Sequence, residues 1–305
     1  MKKVILLLVA VMISSVLWAQ NQYADATVKQ LGDNNKAFVD QRGAYGGGWY
    51  YEAGSGTDAT IKVHGDKNNT AIQQFGEKNV AGQDIRVGGS ACDGFYASLV
   101  GAKFSESVSI KLCKVKLACC EKVGGGSFEI DSKSLFPGIY VTGDKNKASI
   151  YQDGTKNLAG IKIVGDHNKA GVKQVGEENM ASLKINGDHN TSLIEQQGEN
   201  GGMNLAIVKL NGDHNKSTIY QRGWNNEVAQ KVKGDRNIVS ASQIGWYDGV
   251  YGGGNLAIQK VVGNDNALLL DQQGPGNKSV QITTDNMNNS WVVQHGSNNQ
   301  SLVRQ

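Results

Sequence analysis

The chain is short of proline, of unbalanced charge and of long apolar runs. Only 2 prolines occur in 305 residues, and charged residues make up 19%. So little of either argues against a disordered linker. The 31 Lys and Arg nearly cancel the 28 Asp and Glu, leaving a formal net charge of +3. That excludes an acidic tail protein and gives no electrostatic case for nucleic acid as a partner. Past Trp18 no second long apolar run follows, so nothing further reads as a membrane-spanning helix. The 40 glycines show no Gly-X-Y period, which excludes collagen. No nucleophile elbow is present, and acid pairs recur in repeated turns instead of forming one site. The sequence therefore offers no catalytic residue, no metal site and no cofactor.

What is present begins with a targeting signal. Lys2 and Lys3 precede an apolar run from Val4 to Trp18, and Ala19-Gln20 follows. A charged start, a short apolar stretch and a small residue describe a secretory signal peptide over residues 1–19. The expectation is an exported chain.

The rest is a repeat of eleven residues. Gly143, Gly154, Gly165, Gly176, Gly187 and Gly198 keep that step, and Gly212, Gly223, Gly234 and Gly245 resume it. An asparagine stands three residues after nearly every such glycine, including Asn146, Asn168, Asn190 and Asn215. Between Asn and the next Gly the pattern alternates, as in Asn168-Lys-Ala170-Gly-Val172-Lys-Gln174. Alternation over about seven residues means a half-buried strand. Gly-x-x-Asn then turns the chain, because Gly and Asn tolerate positive φ.

Two kinds of eleven alternate, so the full coil is twenty-two residues. One kind closes with an inward glutamine: Gln41, Gln74, Gln152, Gln174, Gln196, Gln221, Gln243, Gln272 and Gln294. The other carries an apolar residue there, such as Val63, Ile163, Ile185 and Leu210. The expected fold is all-β: a two-sheet β-solenoid of about ten strand-turn-strand-turn coils, with a cysteine-containing insertion. Like residues stack on like about 4.8 Å apart, and inward Gln and Asn form amide ladders. The expected parts are solenoid repeats over residues 20–87, the insertion over 88–134 and further repeats over 135–305.

The pattern Gln-x-Gly-x-x-Asn-x-Ala, as in Gln152-Asp-Gly154-Thr-Lys-Asn157-Leu-Ala159, resembles the curlin repeat of bacterial curli subunits. The likeness covers most of residues 24–305 outside the insertions. The resemblance implies a β-solenoid that polymerises into extracellular amyloid fibres for adhesion and biofilm. It implies itself and other curli-like subunits as partners, and passage through an outer-membrane secretion pore. Curlin subunits are usually shorter and lack cysteine, so this chain departs from the pattern on both counts.

The insertion holds Cys92, Cys113, Cys119 and Cys120. In an exported protein an even count suggests two disulfides, and Cys113-x5-Cys119-Cys120 lacks the paired spacing of a zinc site. Turn parity predicts that one glutamine-type strand is missing or disguised inside it. Smaller insertions follow glutamine-type strands and bring Trp49, Tyr50, Trp246, Tyr247 and Tyr251 to one edge, which Trp224 shares. These rings either stack on carbohydrate or a partner, or cover the solenoid's own flank. A second reading of function follows: a non-polymerising secreted or surface protein that binds through this edge. His167, His189 and His214 stand in Gly-Asp-His-Asn turns on the opposite edge, as a solvated column rather than a metal ladder. Gln30 and Gln305 occupy apolar-type places near the two ends, and Val303 continues the inward pattern. Both terminal strands are therefore expected to be polymerisation surfaces, with Gln30 and Gln305 matched across the junction.

Overall fold

The structure is a computed structural model that describes residues 24–42, 57–77, 79–81, 110–111, 129–130, 138–198, 203–245 and 254–305. The signal segment, the four cysteines and Trp49, Tyr50, Trp246, Tyr247 and Tyr251 lie outside these residues. Two parallel sheets face each other. One, the glutamine sheet, stacks Lys36–Arg42, Asn69–Glu77, Lys147–Thr155, Lys169–Glu177, Thr191–Gln197, Lys216–Arg222, Ile238–Ile244, Ala267–Gln273 and Asn289–His295. The other, the apolar sheet, stacks Ala24–Leu31, Thr57–His64, Leu158–Val164, Met180–Asn186, Leu205–Asn211, Glu227–Lys233, Leu256–Val262, Lys278–Thr283 and Gln300–Arg304, with one further level described below. The chain crosses from sheet to sheet at each turn. A β-solenoid results.

Register is strict, and like residues fall on like. Ala148, Ala170 and Ser192 share one column, Ile150, Val172 and Ile194 the next, and Gln152, Gln174 and Gln196 the third. The alternation explains why. Inward residues are buried, whereas most outward ones are half-buried or exposed, so a slip of one residue would turn most of the inward apolar side chains to the outer face. Ile161, Leu183 and Ile185 of the apolar sheet and Ile150, Val172 and Ile194 of the glutamine sheet are buried in one thin core.

The turns differ from the sequence expectation in one respect. The glycines do adopt positive φ, as at Gly165 (φ 124°), where a Cβ would overlap the Gly187 carbonyl oxygen of the next coil. The asparagine that closes each turn does not. In the uninterrupted turns the residue before that asparagine is left-handed instead, including His167 (φ 59°), Lys145 (φ 56°) and Glu178 (φ 55°). A left-handed residue with a side chain costs about 1–2 kcal/mol. Here it sets the following asparagine at the start of the strand with its amide buried. Asp166 Oδ1 accepts the N–H of Asp144 at 2.8 Å, and Asp188 Oδ1 accepts that of Asp166 at 2.7 Å, so the acidic column ties one turn to the next.

Of the two alternatives for a glutamine-type strand in the large insertion, missing or disguised, the glutamine sheet shows the first: it has no level between its second and third strands. Asn69–Glu77 stacks directly on Lys147–Thr155. The insertion instead interrupts a single strand of the apolar sheet. Val80–Ala81 pairs with Asp58 and Ala59, and Gly138–Thr142 takes up the same level from Ile61 to His64. Both fragments also pair with Leu158–Val164 on the other side. The apolar sheet thus has ten levels and the glutamine sheet nine. Between the fragments, Ile110–Lys111 and Glu129–Ile130 form a short antiparallel pair of their own, outside both sheets.

Candidate functional site

The nine inward glutamines form one unbroken ladder. Gln41 Nε2 donates to Gln74 Oε1, Gln74 to Gln152, Gln152 to Gln174, Gln174 to Gln196, and so on through Gln221, Gln243 and Gln272 to Gln294. Each bond is 2.7–3.0 Å. Every amide N–H₂ therefore points toward the C-terminal end of the stack and every amide oxygen toward the N-terminal end. The second N–H reaches across the core, as Gln174 does to Leu158 O at 2.9 Å and Gln294 to Lys278 O at 3.1 Å.

The turn asparagines run the opposite way. Asn168 Nδ2 donates back to Asn146 Oδ1 at 3.2 Å and forward to Gly187 O at 2.8 Å. Asn190 Nδ2 repeats this toward Asn168 Oδ1 and Gly212 O, and Asn215 Nδ2 donates to Gly234 O. On the other edge Asn157, Asn179, Asn204, Asn226 and Asn255 make the same column. Insertions separate Asn204 and Asn255 from their glycines, so fixed spacing misses them. The column nevertheless continues through both asparagines.

A third ladder has no counterpart in the eleven-residue pattern. Gln230 Nε2 donates to Gln259 Oε1 at 2.8 Å, and Gln259 Nε2 to Gln281 Oε1 at 2.7 Å. These residues take the column that Ile161, Leu183 and Val208 fill earlier. Ser217 Oγ donates to Gln230 Oε1, and Gln281 Nε2 to Ser290 Oγ, which satisfies both ends. A hydroxyl across the core is what allows an amide in an apolar column. The cue lay in the sequence as Ser217 and Ser290 on the facing strands.

Charge on the outer faces is uneven. Lys29, Lys62, Lys162, Lys184, Lys209, Lys231 and Lys260 share one outward column of the apolar sheet, with Tyr140 among them. Burial, then the neighbouring Lys209, Lys233 and Lys260, lower the Lys231 pKa. Burial raises that of Glu227. The glutamine sheet mixes signs at the matching place, where Lys173 Nζ meets Glu195 Oε1 at 2.9 Å.

His167, His189 and His214 stack as a column, with ring centroids 4.8 and 4.9 Å apart and planes within 4°. Among the described residues no group of three or more His, Cys, Asp or Glu is placed to hold a metal ion. Trp224 lies in the Gly223–Asn226 turn and is half-buried. Gln30 and Gln305 lie in the apolar sheet at opposite ends. Gln30 pairs in register with Val63, and Gln305 donates its side-chain amide to Asn289 O at 3.1 Å. Val303 packs against the core from the last strand.

Two stacked sheets, Gly-x-x-Asn turns and an inward glutamine every second strand are the features a family comparison can test. Residues 143–176 match the family model described as the curlin associated repeat. Over these residues the chain carries the curlin repeat. The matched segment spans one and a half coils, from Gly143 to Gly176, and the same registers carry the curlin pattern through the neighbouring coils. No curated protein matches the chain.

Proposed function

We propose that the chain is the structural subunit of an extracellular fibre, built by end-to-end stacking of its curlin-repeat solenoid and serving adhesion and biofilm formation. One observation carries this: among the described residues no strand pairs with the outer side of the last strand, Gln300–Arg304. Gln305 sends its N–H back to Ile282 O and accepts from Thr284 N. In a parallel ladder each residue bonds to one neighbour and alternate residues to opposite neighbours. Leu302 and Arg304 therefore direct N–H and C=O away from the molecule. At the other face Leu31 O accepts from Gly65 N, so Ala26, Val28 and Gln30 direct theirs outward. Such edges template another strand. Large apolar side chains are exposed at both faces, with Leu31 61% and Trp291 76% exposed.

The test is whether purified mature chain forms fibres with reflections near 4.8 and 10 Å, the two spacings of a cross-β stack. Leu302→Pro removes an outward N–H without touching the inward bonds of Ser301, Val303 and Gln305. It is expected to fold and to elongate poorly. Val303→Pro, by contrast, unpicks the last strand from its own sheet. Wild-type chain that stays monomeric at high concentration would overturn the fibre reading in favour of a secreted binding protein.

A further inference from the structure

Ten levels in one sheet and nine in the other make nineteen half-coils, an odd number. The two terminal strands of the apolar sheet also carry the inward pattern of the other sheet. Ala26, Val28 and Gln30 open it, and Ser301, Val303 and Gln305 close it. Their interior counterparts are Ala181, Leu183 and Ile185, whereas a glutamine-sheet strand reads Ser192, Ile194 and Gln196. Gln30 Nε2 is buried and has no hydrogen-bond partner among the described residues.

We infer that neighbouring copies in the fibre are related by a half-turn about the solenoid axis, so that each sheet of one copy continues as the opposite sheet of the next. This rests on the fibre reading above. After a half-turn, Ala24–Leu31 of the next copy lies on Asn289–His295, and its Lys36–Arg42 lies on Gln300–Gln305. No level is empty. Gln294, whose amide N–H₂ faces that way, meets Gln30 of the next copy, and Gln305 meets Gln41. Val292 meets Val28, Val303 meets Val39, and Leu302 meets Phe38. Arg304 meets Asp40, a pair of opposite charge. The turn at Gly32–Asn35 settles on the turn at Gly296–Asn299, with Gly on Gly and Asn on Asn.

Stacking without the half-turn fails on three counts. It sets Gln300–Gln305 on Ala24–Leu31 and so matches Gln305 with Gln30, the pairing that the sequence suggests. It then leaves one level of the glutamine sheet empty beside Trp291 and ends that ladder at Gln294. It also places Arg304 against Lys29, so that Arg304 gains no carboxylate across the junction.

Elongation from preformed seeds distinguishes the two arrangements. With the half-turn, Arg304→Glu faces Asp40 and should slow elongation about tenfold, a rise of about 1.4 kcal/mol in the barrier. Adding Asp40→Lys should restore it, and Lys29→Glu alone should leave the wild-type rate. Without the half-turn, Arg304→Glu and Lys29→Glu should each speed elongation. Helical reconstruction of wild-type fibres gives an independent readout. The expected step is about 45 Å per copy at ~4.8 Å per coil, with rotation half a turn beyond the accumulated coil twist. Fibres with no added half-turn, or Arg304→Glu elongating as fast as wild type, overturn the inference and leave the fibre reading intact. Wild-type chain that forms no fibres removes both.

Discussion

Gln174 Nε2 lies 2.9 Å from Gln196 Oε1, and the same nitrogen reaches Leu158 O on the facing sheet at 2.9 Å. One side chain therefore ties a coil both to its successor and across the core. Both partners are buried, where an unmade bond is expensive.

Gln174→Leu should consequently be more damaging than its loss of one side chain suggests. It leaves the Gln152 donor and the Gln196 acceptor facing hydrocarbon. The expected destabilisation is about 3 kcal/mol, read as a shift of the denaturation midpoint. A midpoint within experimental error of wild type would show that the ladder is not a stabilising element.

The turn glycines and the strand glycines should behave oppositely. Gly165 has φ 124° and no room for a Cβ against the Gly187 carbonyl. Gly165→Ala should cost more than about 2 kcal/mol. Gly171 lies mid-strand with φ outside the left-handed range, and a Cβ there meets only Leu193 Cδ1 at 3.1 Å and Ser149 Oγ at 3.7 Å. Gly171→Ala should change stability by less than about 1 kcal/mol. Thermal melts of the two variants test the contrast.

An inward charge should abolish folding where an outward change does not. Ile185 is fully buried in the apolar sheet. Ile185→Asp places an unpaired carboxylate in a dry core, at a cost of several kcal/mol. Lys173→Gln removes an exposed pair with Glu195, for which about 0–1 kcal/mol is expected. Lys173→Asp would set two carboxylates side by side and cost somewhat more. Circular dichroism should show native β-structure for both Lys173 variants and not for Ile185→Asp.

Glu227 predicts a pH dependence. Burial raises its pKa in the folded chain, so the native state holds this proton more tightly than the unfolded one. Its contribution is then most favourable below the unfolded value, about 4.3, and declines as pH rises through the folded value. Glu227→Gln removes that decline. Its Tm should exceed wild type at pH 7 and by less at pH 4. Equal differences at the two pH values would assign the effect to something other than this carboxyl.

The repeat and the two sheets were legible in the sequence. Stacked coils place equivalent residues above one another, so Gln152, Gln174 and Gln196 must recur at a fixed offset, and the offset can be counted. The reading failed where the offset is broken. Asn204 and Asn255 join their column although insertions displace them, and Gln230, Gln259 and Gln281 form a ladder in a column that is otherwise apolar. Their acceptability depends on Ser217 and Ser290 across the core, a contact between strands that a period along one strand does not contain.

The sequence by itself determined the coil, because an eleven-residue period with inward alternation has one stable way to bury its apolar side. Tertiary structure alone decided how coils join across gaps. Ala81 and Gly138 are far apart in the chain and neighbours in one strand, since each finds its backbone partners between Thr57–His64 and Leu158–Val164. That single placement makes the apolar sheet ten levels deep against nine, and it sets which strand of the next copy each end face can accept. Hydrogen-bond register fixes it, and register is a property of paired strands rather than of either strand alone.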